Sequence, residues 1–141
     1  MKKTILEKND KRPYSLHDMT INNIEIIGTE INLFFEHGFI KTNDPYNQVE
    51  GSIKIEDVNF YFSNIYFLSK NGSNGNYDGK KITIKDFLKQ YKDYSFEVVS
   101  ELFGYNNVEY GGFLTIPGKK DYVEIKLDLY YEGNLTYYTK E

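Results

Sequence analysis

Ten consecutive residues, Tyr122 to Tyr131, alternate between two sides without a break. Val123, Ile125, Leu127, Leu129 and Tyr131 take one side, and Tyr122, Glu124, Lys126, Asp128 and Tyr130 take the other. A period of two belongs to a strand with one face buried and one face wet. The same alternation recurs in Ile31, Leu33 and Phe35, and in Val49, Gly51, Ile53 and Ile55. It returns in Phe96, Val98 and Leu102, set against Glu97, Val99, Glu101 and Phe103. The chain contains no alanine, the strongest helix former, yet it carries 14 tyrosines and 10 phenylalanines. Aromatic and β-branched residues suit a pleated, half-buried surface. The expected fold is mostly β: an antiparallel β-sandwich or open barrel of about eight or nine strands. The alternative is an α+β layer with a helix packed on one sheet face.

Local signals place the elements. Ile21 to Ile27, then Gly28-Thr29-Glu30, then Ile31 to Phe35 reads as a hairpin. Residues 41–48 read as loop. Phe60 to Leu68 is apolar on both faces, which suits a strand covered on both sides. Asn71 to Gly79 is turn-prone. One short helix is expected at about residues 84–92. Thr83 is its N-cap with Asp86 three residues on, Ile82 and Phe87 form a hydrophobic staple, and Ile84, Phe87, Leu88 and Tyr91 share a face. Gly111-Gly112 suggests a bulge or bend inside a strand over 108–116. Glu132-Gly133-Asn134 is expected to close a hairpin that pairs Tyr131 with Leu135 and Leu129 with Tyr137.

Length and charge bound the function classes. The chain has 141 residues, which is one domain's worth, and residues 1–12 are expected to be a flexible N-terminal segment. The absence of cysteine removes disulfides, thiolate metal sites and a Cys nucleophile. A net charge of −4 with no basic block argues against nucleic acid as a partner. No apolar run reaches the ~18 residues of a membrane span, and the opening residues lack the apolar stretch of an export signal. These readings give a cytoplasmic expectation. Richness in Lys, Asn, Ile, Tyr and Phe, with Arg12 alone of its type, fits an AT-rich bacterial coding sequence.

Three sets of residues carry candidate chemistry. His17 with Asp18, joined by His37 if two strands bring them together, would make a two-histidine, one-carboxylate metal set, with Glu36 as an alternative carboxylate. The plainer reading is two polar residues at strand ends. Asn74, Asn76 and Asp78 have the outline of a calcium loop, although Lys85 stands where a closing Glu belongs. Tyr122, Tyr130 and Tyr138 are expected on one exposed face, where aromatic rings stack on sugars or anchor a protein contact. Glu97 and Glu101 are expected together on a solvated face about 13 Å apart, too far for a glycosidase pair. Nucleophile elbows and phosphate loops are absent, and no cofactor is implied. The expected function is a non-enzymatic binding module that contacts a protein partner or a second copy of itself. The alternatives are a small-ligand-binding β-barrel and a histidine-based metal-binding protein or enzyme.

Overall fold

The computed structural model describes residues 1–7, 11–70 and 77–141, with Tyr77 and Asp78 described by their backbone alone. The chain is mostly β, and every strand pairing among the described residues is antiparallel. Among the described residues, thirteen strands and one helix follow one another in order. They are β1 (Lys2–Ile5), β2 (Tyr14–Ser15), β3 (Thr20–Ile27), β4 (Glu30–Phe35), β5 (Phe39–Lys41), β6 (Gln48–Val49) and β7 (Gly51–Ile55). Then come β8 (Asn64–Lys70), β9 (Tyr77–Thr83), α1 (Ile84–Gln90), β10 (Ser95–Gly104), β11 (Asn107–Thr115), β12 (Val123–Tyr130) and β13 (Leu135–Thr139).

Ten strands form one sheet in the order β1-β13-β7-β4-β3-β10-β11-β12-β8-β9, and β2-β5-β6 form a small second sheet. The large sheet is open, with β1 and β9 as its edges. It has two arms of five strands, joined where β3 meets β10 through only two residue pairs, Ile21 with Phe96 and Thr20 with Glu97. One core cluster draws buried residues from both arms: Leu33 and Ile53 from one, Leu127 and Ile65 from the other. Both edges carry adjacent lysines, Lys2-Lys3 and Lys80-Lys81. Charged edge strands discourage sheet-to-sheet aggregation.

Local chemistry explains the elements that match expectation. The β3–β4 hairpin turns through Gly28 at φ 61°, a positive angle that glycine takes without a Cβ penalty. The Thr83 side chain accepts the Asp86 N–H at 3.1 Å and caps α1 as read from the sequence. Ile84 and Phe87 bury the helix face against Phe67 of β8, with Tyr91 and Tyr94 completing an aromatic cluster. No helix among the described residues is long and apolar enough to cross a membrane.

Four expectations change. Among the described residues the strand count rises from eight or nine to thirteen: β1, β2, β5 and β6 run only two to four residues, too short to show alternation, and the seven-residue β9 begins at Tyr77, inside the stretch read as turn-prone. The first of these, β1, lies inside the segment expected to be loose and pairs with β13 along its whole length. Phe60 to Leu68 is not one strand: residues 59–63 form a turn, and β8 starts at Asn64. Finally, β12 and β13 are not a hairpin. After Tyr131 the chain crosses to the other arm, where Leu135 pairs with Ile55 and Tyr137 with Ile53. Alternation sets which side chains face inward on a strand, and it leaves the strand's neighbour open.

The bulge expected inside the strand over 108–116, at Gly111-Gly112, is displaced to its neighbour. The irregularity lies on the facing strand, between Val98 and Ser100 of β10, directly across from Gly111 and Gly112. A Cβ on Gly112 would sit 1.8 Å from the Glu97 carbonyl oxygen. The extra residue on β10 reverses its inside–outside pattern: Phe96 and Val98 are buried, while Leu102 is turned outward and Glu101 inward. Glu97 and Glu101 therefore lie on opposite faces rather than sharing one.

Candidate functional site

The residues singled out from the sequence disperse. His17 Nδ1–H donates to the Val99 carbonyl at 2.8 Å, and its Nε2 lies 3.5 Å from Asp18 Oδ2. His37 Nε2 lies 3.6 Å from Glu36 Oε1 in a separate exposed pair. Among the described residues no three histidine or acidic side chains gather in a metal-holding group, so His17, Asp18 and His37 are not brought to one centre. Asn74 and Asn76 lie outside the described residues, and Asp78 is placed only as backbone in β9. The three tyrosines do not gather into one cluster. Tyr122 packs edge-on against Phe113 at 5.1 Å, and Tyr130 lies near Phe62 at 6.1 Å. Tyr138 sits in the other arm with the Lys54 ammonium 5.6 Å above its ring. Tyr138 is separated because β13 pairs with β7 and β1.

Two other regions concentrate functional groups. The first is where residues 11–19 cross the bulged half of β10 as a strap. Asp18 N–H donates to Val98 O, and Val98 N–H donates to Met19 O, each at 2.8 Å. Arg12 donates to the Glu101 carbonyl at 3.0 Å and lies 4.9 Å over the Phe103 ring. Glu101, turned inward by the bulge, accepts the Leu16 N–H on Oε2 at 2.9 Å. Its Oε1 is buried without a hydrogen-bond partner among the described residues, as are the hydroxyls of Tyr110 and Tyr137. Tyr110 is the direct cross-strand neighbour of Glu101. Burial pushes the Glu101 pKa up, opposed by the Leu16 N–H and by the charges of Arg12 and His17. Burial also raises the phenols of Tyr110 and Tyr137, and the nearby Glu101 carboxylate raises both further. A cleft of about 480 Å³ opens beside the strap, lined by Lys11, Arg12, Tyr14, Ser15, Thr42 and Glu101. The free Glu101 oxygen is sealed from solvent, so the residue anchors the strap rather than meeting a dissolved substrate.

The second region is an aromatic tip at the far end of β12. Two turns are hydrogen-bonded to Tyr130 and Tyr131. In one, the Asn59 side chain accepts the N–H groups of Tyr61 at 3.0 Å and Phe62 at 3.2 Å, while Ser63 Oγ donates to Asn59 O at 2.7 Å. Asn59 N–H donates to Tyr130 O at 2.8 Å, and Ser63 Oγ accepts Tyr130 N–H at 3.0 Å. In the other, the Tyr105-Asn106 turn joins β10 to β11, and Asn106 O accepts Tyr131 N–H at 2.9 Å. Tyr61 and Tyr105 are each 83% exposed and Phe62 is 59% exposed. The rings of Tyr61 and Phe62 meet edge-to-face at 5.0 Å. The surrounding outer face is polar and internally paired: Lys126 bridges to Glu109 at 3.0 Å, and Asn107 donates to Asp128 at 2.7 Å.

Sequence reading missed this tip because Phe60 to Leu68 looks like one apolar strand. The signal was present in Asn59 and Ser63, residue types that bond back to local backbone and initiate turns. Comparison with known proteins adds no identity: no family model, curated protein or solved structure matches this chain.

Proposed function

We propose that this protein is a non-enzymatic binding module that works by contact with a protein partner through its aromatic tip. One observation carries the reading. Tyr61, Phe62 and Tyr105 stand in water on turns whose backbones are tied down by hydrogen bonds. Large rings held rigidly lose little conformational entropy on binding, and tyrosine and other aromatics dominate the energetic centres of protein interfaces. A polar rim around an aromatic centre is the usual plan of such a surface.

The test is a triple variant, Tyr61→Ala, Phe62→Ala and Tyr105→Ala, compared with wild type as bait in lysate from the source cell. A partner retained by the wild type is then purified and its affinity measured against both. Loss of roughly a hundredfold or more in the triple variant supports the reading, since single hot-spot truncations cost about 2 kcal/mol or more each. Equal affinity refutes it. A second copy acting as the partner is read by sedimentation, as a mass near twice 16.6 kDa that returns to 16.6 kDa in the triple variant.

A further inference from the structure

We infer that a groove on the outer face of the β3–β10–β11 junction binds an organic cation of the guanidinium type, such as an arginine side chain. The groove, about 430 Å³, is lined by Thr20, Ser95, Glu97, Phe113, Thr115 and Tyr122. That volume lies within the usual range for small-ligand sites. Its floor is set by strand register: Thr20 faces Glu97, Glu97 faces Phe113, and Ser95 faces Thr115. Directly opposite residues on an antiparallel pair stand side by side on one face. Glu97 therefore stands beside Phe113 on that face, and Tyr122 meets the Phe113 ring edge-to-face at 5.1 Å.

The carboxylate distinguishes this groove from the rest of the arm. On β10, β11 and β12 the other acidic side chains are all matched. Glu101 holds the Leu16 N–H, Glu109 holds Lys126, Glu124 accepts from Ser69, and Asp128 accepts from Asn107. Glu97 alone has no hydrogen bond or ion pair to another described residue, and it is exposed at the floor of the groove. A free carboxylate next to two aromatic rings offers a planar cation both a charge partner and a π face. The hydroxyls of Thr20, Ser95 and Thr115 add acceptors around it. A neutral sugar would use the rings and hydroxyls and would leave the charge of Glu97 without a counterpart. This inference stands apart from the aromatic tip, since Tyr122 and Tyr130 lie at opposite ends of β12.

The experiment is an NMR titration that follows the ring resonances of Tyr122 and Phe113. The probes are Nα-acetyl-arginine methylamide, its neutral isostere Nα-acetyl-citrulline methylamide, and methyl glucoside. The arginine probe should shift both rings saturably in the millimolar range, with citrulline and glucoside several-fold weaker. Glu97→Gln, a surface change, should weaken the arginine probe by roughly fivefold with an unchanged thermal midpoint, as fits an exposed ion pair with cation–π support. Tyr122→Leu serves as the second variant and should also weaken it. No saturable shift, equal binding of citrulline, tighter binding of glucoside, or an unaltered affinity in Glu97→Gln would each overturn the inference.

Discussion

The strap region and the aromatic tip use the same residue types to opposite ends. Beneath the strap, Tyr14, Phe39 and Tyr137 pack ring against ring at 5.0–5.6 Å and are at most 2% exposed. The Tyr137 hydroxyl has no hydrogen-bond partner among the described residues, while that of Tyr14 is caught. Tyr14 OH donates to Glu141, which also accepts from Thr139 at 2.6 Å and pairs with Lys41 at 3.0 Å. At the tip, Tyr61, Phe62 and Tyr105 gain almost nothing from burial, yet their turns are held as firmly by hydrogen bonds. Side chains that stabilise a fold are buried in it. Rings fixed in water by an ordered backbone are the basis of the contact proposed above.

The largest effect should come from the strap side. Phe39→Ala removes a fully buried ring that touches Tyr14, Phe35 and Tyr137. It should cost about 3–5 kcal/mol in urea unfolding. A loss below about 1 kcal/mol would mean that this end is not core. Next comes Gly112→Ala, which forces a methyl group onto the Glu97 carbonyl and opens the β10–β11 ladder at the bulge. A cost of about 1–3 kcal/mol is expected, and a neutral result would break the account of how Glu101 is turned inward.

The two carboxylates on this side should respond to pH with opposite signs. Hydrogen bonds from Thr139 and Tyr14, with help from Lys41 and Lys2, hold Glu141 down at about 2, against an ordinary value of 4.5. Its contribution to stability is present above about 4.5 and is lost as pH falls toward about 2. Glu101 is raised above its ordinary value of 4.5. Its contribution is fully present below 4.5 and is lost as pH rises through its folded value. Unfolding midpoints should therefore fall less steeply below pH 4.5 in Glu141→Gln than in the wild type. Glu101→Gln should gain about 1 kcal/mol at neutral pH, because the amide keeps the Leu16 bond and supplies a donor for Tyr110 or Tyr137. Destabilisation in Glu101→Gln would show that the charge itself holds the strap.

The smallest stability effect belongs to the tip. Alanine at Tyr61, Phe62 and Tyr105 should each change stability by no more than about 0.5 kcal/mol. A loss of about 2 kcal/mol at any of them would move that ring into the core and weaken the functional reading.

The fold class was legible in the sequence, whereas the strap and the tip were not, and the missing parts share a physical cause. Ile125, Leu127 and Leu129 alternate with charged residues, so their burial follows from period alone. The Thr83 cap and the β3–β4 turn are local, and local chemistry specifies them. Glu101 was misplaced because a single inserted residue shifts every later side chain to the other face. The only trace of that insertion is the glycine pair on the partner strand. Tyr138 was misplaced because strand adjacency is set by the whole core, not by the three-residue link after Tyr131. The metal set of His17, Asp18 and His37 required a long-range convergence that no spacing encodes. Tyr122 instead meets Phe113, which comes from β11 beside the start of its own strand.

The central claim is that the tip meets a protein partner. Its most direct test is photocrosslinking in the source cell, with a benzophenone amino acid in place of Tyr61 and, in a separate strain, in place of Tyr46. Tyr46 is also well exposed, at 66%, but it lies in the β5–β6 loop of the small sheet. The account predicts a discrete protein adduct from position 61 and none from position 46. No adduct at position 61, or the same adducts from both positions, would contradict it.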